Sequence, residues 1–145
     1  MKGTTMSTET VKTPLASGRK AIFSPASSPV YAPGRRDFFK YRQLAASEGE
    51  MTAQVMTTNA GLTEPTGWHY HICESQFIYV LKGTLDLDLE DGSSVHMVAG
   101  DSLLLPGGMK HNETSTSTDF ELLEVMLPKL EGTVPCDPPG SDQSK

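Results

Sequence analysis

The 145-residue sequence is poor in features that would mark it as a secreted or membrane protein. It has two cysteines, Cys73 and Cys136, whereas a small secreted domain stabilised by disulfides normally has more. It has no run of about 18 apolar residues, which a transmembrane helix needs. The first residues also lack the apolar core of a signal peptide. We therefore expect a cytoplasmic protein without a membrane partner.

Basic residues are scarce in the second part of the chain. Residues 1–60 contain eight Lys or Arg and four Asp or Glu, whereas residues 61–145 contain four and fourteen. Nucleic-acid binding needs clustered Lys and Arg, because each contact neutralises a phosphate. The acidic second part therefore argues against a nucleic-acid partner.

Short segments of alternating polarity, separated by turn residues, fill the middle of the chain, and no amphipathic segment of helix length accompanies them. Residues 84–90, TLDLDLE, form the clearest strand, and residues 102–105 are expected to be a buried strand. This pattern predicts an all-β sandwich or barrel. Because both ends are rich in Ser, Thr, Pro or Gly, we predict a flexible N-terminal arm (1–28), one domain (29–130) and a disordered C-terminal tail (131–145).

The residues after the clearest strand predict a hairpin with a three-residue loop, 91–93. This loop pairs Leu87 with Met97 and keeps one face of the hairpin apolar. A two-residue loop would instead move His96 onto the apolar face. His96 is therefore expected at the surface, opposite Asp88.

Two histidines one residue apart, His69 and His71, lie in the segment 67–83, GWHYHICESQFIYVLKG. On an extended strand the two side chains project the same way, about 6.6 Å apart at the backbone. Two imidazoles at that separation can bind one ion. A third histidine, His111, ends the segment 106–111, PGGMKH. Histidine is the commonest metal ligand, so the three predict a site for a divalent transition metal.

The two histidine segments resemble the signature motifs of the cupin family. The first family motif is G-x5-H-x-H-x3or4-E-x6-G, and counting back from Gly83 places Gln76 where the family usually has Glu. The second is G-x5-P-x-G-x2-H-x3-N, with Ser115 here in place of Asn. It is matched by Gly100, Pro106, Gly108 and His111. Both motifs in the correct order are far more specific than a lone H-x-H.

The resemblance implies a cupin jelly roll, a double-stranded β-helix barrel, that binds a small-molecule substrate and forms a homodimer. It also implies that His69, His71, Gln76 and His111 hold one divalent metal per chain. Because Gln76 offers a neutral amide oxygen, we expect Fe, Zn, Ni or Cu rather than Mg or Ca, with the full +2 charge retained. Gln76 is expected either to bind the metal directly or to lie beside its ligands.

Other residues are candidates for the surroundings of the metal. Glu124 lies in an apolar strand, where burial would raise the pKa of its carboxyl and suit it to proton transfer in catalysis. Ile78 and Val80 share the face of Gln76 and are expected to line an apolar pocket above the metal. The aromatic and basic segment 35–42 is interpreted as an edge strand or an interface anchor rather than a substrate contact.

Three functions are compatible with such a centre. Three strong ligands leave an open coordination position, which is typical of reactive sites rather than structural ones. The resemblance favours a metal-dependent dioxygenase acting on an oxygen-rich small molecule. The alternatives are a redox-neutral Lewis-acid cyclase, isomerase or lyase, and a non-catalytic small-molecule binder or sensor.

Overall fold

The computed structural model describes residues 20–33, 37–45 and 51–141. Within these residues the chain forms eleven β-strands and no α-helix, so the all-β prediction is confirmed. The strands are β1 (Val30–Pro33), β2 (Phe39–Gln43), β3 (Thr52–Thr58), β4 (His69–Ile72), β5 (Ser75–Lys82), β6 (Thr84–Leu89), β7 (Ser94–Val98), β8 (Ser102–Pro106), β9 (His111–Thr116), β10 (Glu121–Leu127) and β11 (Gly132–Pro135).

The strands form two antiparallel sheets that face each other. One sheet has the order β1-β2-β3-β10-β5-β8, and the other has the order β11-β4-β9-β6-β7. Because side chains alternate along each strand, one face of each sheet is apolar and turns inward. The inward faces build an apolar cluster of Phe39, Met56, Ile78, Val80, Leu85, Leu87, Leu89, Met97, Leu105, Phe120 and Leu122. The result is the two-layer jelly roll expected from the sequence.

The faces of β5 and β6 are those that the sequence predicts. On β5, Gln76, Ile78 and Val80 are buried, and the intervening side chains of Phe77 and Tyr79 are exposed. On β6 the three leucines point inward. Alternating polarity assigned the face of β6, whereas residues 77–81 of β5 are all apolar and the expected ligand Gln76 assigned its face.

The hairpin between β6 and β7 has the predicted three-residue loop, but the loop lies one residue earlier, at 90–92. Leu87 therefore pairs with Val95, and His96 lies opposite Asp86. The glycine of the loop has a φ of +87°, which glycine adopts readily, and it takes the last position of the loop. His96 remains exposed as predicted, because a shift of two residues in the partner strand keeps each side chain on its face.

The strand predicted at 102–105 is present as β8, but the prediction that it is buried is wrong. β8 lies at the end of its sheet, where it pairs with β5. Leu105 points into the core, whereas 65% of Leu104 is exposed. A short apolar run is typical of both edge strands and central strands, so the sequence alone did not distinguish the two positions.

The C-terminal boundary of the domain also requires correction. Residues 132–135 form β11, which pairs with β4, so the predicted disordered tail of 131–145 begins too early. Backbone hydrogen bonds to β4 order this segment despite its turn-rich composition. Most of the predicted arm, 1–28, lies outside the described residues, as do residues 142–145. No helix in the described ranges is long and apolar enough to cross a membrane.

Candidate metal centre

Three histidines meet on the inward face of the second sheet. β4 pairs with β9 so that His69 lies directly opposite His111. His71 follows two residues later on β4 and projects to the same side as His69. One ligand nitrogen from each ring lies within 4.8 Å of the other two, and the rings of His69 and His111 are 4.4 Å apart at their centroids. The side chains of His69 and His111 are buried, and that of His71 is half-buried.

Hydrogen bonds set the protonation of these rings. Nδ1 of His69 donates to the carbonyl oxygen of Gly67 at 2.8 Å, and Nδ1 of His111 donates to that of Met109 at 2.9 Å. A carbonyl only accepts, so Nδ1 of each ring carries a proton, and Nε2 is the nitrogen that can bind a metal when the ring is neutral. Within the described residues, buried Nε2 of His111 has no hydrogen-bond partner. A buried lone pair of this kind fits a metal ion.

The turn before β9 fixes the position of His111. The amide of Gly107 donates to the carbonyl oxygen of Glu74 at 2.8 Å, and that of Gly108 donates to the carbonyl oxygen of His71 at 3.1 Å. A Cβ on Gly107 would lie 1.7 Å from the carbonyl oxygen of Cys73. Glycine is therefore required where the two histidine segments touch, and the backbone contact holds the third histidine against the other two.

Gln76 approaches the histidines from the opposite sheet. Its side chain is buried, and it lines an inner cavity together with His111. Its Nε2 donates to Oε1 of Glu124 at 2.6 Å. Because the nitrogen of the amide is bonded to Glu124, the amide oxygen is the atom that remains for a metal. Direct ligation by Gln76 stays a prediction.

Glu124 is held by two amides in the middle of the first sheet. Gln54 donates to Oε2 of Glu124 at 2.7 Å, and Gln76 donates to Oε1. Gln43 continues this chain by donating to Gln54 at 3.1 Å. Burial raises the pKa of Glu124, although the hydrogen bonds from the two glutamines act to lower it. The carboxylate is desolvated as predicted, and both of its oxygens are engaged.

Glu113 is a further residue of the site, and the sequence analysis did not identify it. It is buried on β9, and its Oε1 lies 3.6 Å from Nε2 of His69 and 3.9 Å from Nε2 of His111. The Thr66 hydroxyl donates to the other carboxylate oxygen, Oε2. The signal was available, because a residue two positions after His111 on a strand projects to the same side.

The neighbouring histidines affect the pKa of Glu113. Burial acts to raise the pKa of its carboxyl, but the histidines His69 and His111 and the Thr66 hydroxyl outweigh burial, so the pKa is lowered from its ordinary value. The attraction requires positive charge on the two rings. The Glu113 carboxylate therefore lies beside two rings that can carry positive charge.

Three cavities border this centre. The inner one is lined by His111, Gln76, Glu113 and Glu124, with Ile78 among its apolar neighbours. Val80 does not line it, which corrects the prediction, because Val80 lies four residues past Gln76, about 13 Å along the strand. Val80 instead packs in the core.

The wider cavity opens outward between β2, β3 and β11. Its lining is rich in amide and hydroxyl groups: Ala32, Tyr41, Gln43, Thr52, Gln54, His71, Glu124, Leu130 and Thr133. A narrower cavity that also contains Phe39 and Tyr41 connects the same region to His69 and Glu113. The segment 35–42, interpreted as an edge or interface strand, thus contributes two aromatic side chains to the site. Its residues 35 and 36 lie outside the described residues.

The donor set suits a borderline divalent metal. Three imidazole nitrogens match the preferences of Zn, Fe, Ni and Cu, and hard ions such as Mg prefer oxygen. The cysteines Cys73 and Cys136 are free and are not part of the histidine cluster. The set is thus unlike a structural zinc site closed by cysteines, and His69, His71 and His111 would hold the ion and leave positions open.

Comparison with known families decides the relationship that the motifs imply. The family model for the cupin domain matches residues 54–126, which is half of the chain and includes all three histidines of the centre. The chain belongs to the cupin family. This cupin is also 32% identical over 68 residues to the polyketide synthase CurC of Streptomyces cyaneus. That match covers 47% of the chain and 41% of CurC, so it spans less than half of the length of this relative.

Solved structures share the architecture of this cupin. The polyketide cyclase RemF from Streptomyces resistomycificus has a TM-score of 0.60 and 16% identity, over 80% of this chain and 85% of RemF. The hydroxypropylphosphonic acid epoxidase from S. wedmorenis has a TM-score of 0.63 and 14% identity, over 73% of this chain and 59% of the epoxidase. At these identities the likeness shows a shared fold.

Proposed function

We propose that this cupin is a metal-dependent enzyme that catalyses a redox-neutral reaction, such as cyclisation or dehydration, of an oxygen-rich organic molecule. The observation that carries the proposal is the pairing of two buried carboxylates, Glu113 and Glu124, with three histidines around connected cavities. A bound divalent metal would supply Lewis acidity toward a substrate oxygen. Glu124 would supply proton transfer at a neighbouring atom.

The outer cavity supports an oxygen-rich substrate. Gln43, Gln54 and Thr133 line its wall, and it reaches the centre at His71 and Glu124. Amides and hydroxyls of this kind orient ketone, enol and hydroxyl groups by hydrogen bonds. Phe39 and Tyr41 line the narrower passage and offer apolar surface to a ring. A molecule with several carbonyl groups and an aromatic or ring-forming part fits this combination.

The relatives support a polyketide-type substrate. CurC is described as a polyketide synthase, and RemF is described as a polyketide cyclase. Polyketides carry repeated carbonyl groups, which match both a Lewis-acid centre and a polar entrance. We therefore extend the proposal to cyclisation of a polyketide-type intermediate.

An oxygen-dependent reaction, the dioxygenase expected from the sequence, is the second candidate. Three histidines with open coordination positions also suit Fe(II), and oxygen chemistry needs such positions. The redox-neutral reaction is preferred because Glu124, a buried carboxyl suited to proton transfer, lines the cavity beside the centre.

Assembly as a homodimer is also part of the proposal. The outward face of the first sheet carries Phe77, Tyr79, Leu81 and Leu104, which are 38–65% exposed. Large apolar side chains grouped on one face are typical of contacts between subunits. A cytoplasmic location stays a prediction.

Anaerobic turnover distinguishes the two reaction classes. The apo-protein is loaded with Zn(II) or Fe(II) and incubated, with and without oxygen, with a set of aromatic poly-β-ketone mimics. Mass spectrometry of the products is expected to show isomers or loss of water, with Zn(II) and without oxygen. Products that gain oxygen atoms, formed only with Fe(II) and oxygen, would contradict the redox-neutral proposal.

Glu124→Gln tests the role of the buried carboxylate. The variant keeps the side-chain shape but removes proton transfer, so we expect turnover to fall by about 100-fold or more while metal content stays unchanged. The matched control is Glu121→Gln, on the opposite face of the same strand, and it should keep full turnover. Equal turnover in Glu124→Gln and the control would exclude Glu124 from the reaction.

A further inference from the structure

The carboxylate of Glu113 faces the same point as the Nε2 atoms of His69 and His111. Its Oε1 lies 3.6 Å from Nε2 of His69 and 3.9 Å from Nε2 of His111. Nδ1 of each ring donates to a backbone carbonyl, so Nε2 is the nitrogen by which each ring can bind an ion. A carboxylate oxygen is therefore grouped with two imidazole nitrogens, as the ligands of one ion are.

We propose that Glu113 is the anionic ligand of the metal, so that this cupin carries its carboxylate on β9 instead of at the position of Gln76. The inference rests on the proposed metal-dependent function. The ligand set becomes three imidazoles and one carboxylate, and its net charge with a divalent ion is +1. With the neutral amide of Gln76 as the fourth ligand, the net charge would instead be +2.

Burial of Glu113 is the first argument for this assignment. An ionised carboxylate inside a protein is strongly destabilised unless a cation compensates it. In the described parts of the chain, its ion-pair partners are His69 and His111. Both rings are neutral when they bind a metal, so they cannot provide the compensating charge. A divalent ion held by the same rings can.

Thr66 provides the second argument, because it fixes the orientation of the carboxylate. Its hydroxyl donates to Oε2 of Glu113, and its amide donates to the backbone carbonyl of Glu113 at 2.9 Å. Thr66 is buried. Oε2 is thereby engaged, and Oε1 is turned toward the histidines. Hydrogen bonds from a neighbouring side chain orient metal ligands in this way.

Glu124 does not fit the same role. Its two oxygens accept hydrogen bonds from the amides of Gln54 and Gln76 at 2.7 and 2.6 Å. The amide groups already compensate this carboxylate, whereas Oε1 of Glu113 faces imidazole nitrogens. Of the two buried carboxylates, Glu113 is therefore the one placed to bind the ion.

Metal affinity of full-length variants, measured by competition with a chelator, tests the proposal. Glu113→Gln should bind Zn(II) at least about 100-fold more weakly than the unmodified protein, because a full negative charge is removed from beside the ion. Its Co(II) derivative should have a changed visible absorption spectrum. Glu121→Gln is the control, since it removes a carboxylate from the opposite face of β10, and it should keep the affinity within about threefold and leave the spectrum unchanged.

A relocation variant provides the second test. Adding Gln76→Glu to Glu113→Gln returns the carboxylate to the usual family position, and it should recover at least about tenfold of the lost affinity. Thr66→Val leaves every metal-facing atom in place and should weaken binding by about tenfold through the freed carboxylate. Thermal unfolding of the metal-free proteins would show whether Glu113→Gln folds. If it does not fold, Thr66→Val still tests the ligand role of Glu113.

The outcomes separate the two proposals. Unchanged Zn(II) affinity and an unchanged Co(II) spectrum in Glu113→Gln, with tight binding by the unmodified protein, would overturn the ligand role and leave the metal-dependent function intact. Unchanged binding in Thr66→Val would also overturn it if Glu113→Gln does not fold. Absence of metal binding in the unmodified protein would instead overturn the proposed function.

Discussion

His111→Ala is expected to lower affinity for Zn(II) by at least about 100-fold, because it removes one of three imidazole ligands and opens the buried centre. Purified variant protein should therefore contain almost no metal, and turnover should be lost with it. The side chain is buried, and its Nε2 makes no other hydrogen bond in the described structure. Metal content by plasma mass spectrometry and affinity by chelator competition measure the effect.

His96→Ala is the matched control for this prediction. It removes an imidazole of the same chemistry from the surface, where the His96 side chain is 61% exposed beside Asp86. The control should retain metal and turnover. Equal metal content in His111→Ala and His96→Ala would show that the buried cluster is not the metal site.

Gly107→Ala is expected to destabilise the protein by at least about 3 kcal/mol, because the new Cβ would overlap the carbonyl oxygen of Cys73. The overlap involves backbone on both sides, so rotation of a side chain cannot relieve it. We expect the melting temperature to fall by about 10 °C. Metal affinity should fall as well, because the displaced turn carries His111.

Gly132→Ala is the control for the glycine substitution. Its Cβ would lie 3.5 Å from Cδ1 of Ile72, an ordinary contact, so stability should change by less than about 1 kcal/mol. Thermal unfolding followed by circular dichroism compares the two variants in the metal-free state. A melting temperature for Gly107→Ala within the error of the control would contradict the close backbone contact between the two histidine segments.

The main features of the fold and the metal cluster could be predicted from local patterns. Alternating polarity assigned the buried face of β6, and the expected ligand Gln76 assigned that of β5. The spacing of His69 and His71 placed both rings on one side of β4. His111 is far away in the sequence and joins them through strand pairing. No local sequence pattern predicts that β4 pairs with β9, so His111 was predicted from the family motif.

Other features depend on packing that a local pattern does not contain. The apolar run at β8 is an edge strand because of its position in the sheet order, and β11 is ordered by β4 rather than by its own composition. Glu113 was not predicted, because the family motif places the acidic ligand at the position of Gln76. Its alternation with His111 was visible, but its contact with Thr66 joins residues 47 positions apart.

X-ray absorption spectroscopy of metal-loaded protein, prepared without an affinity tag, tests the central claim most directly. The claim is that His69, His71 and His111 together hold one metal ion. We predict about one equivalent of metal per chain at saturation, with three imidazole nitrogens about 2.1 Å from the ion. A metal bound without imidazole scattering, or failure to bind one equivalent at saturation, would contradict it.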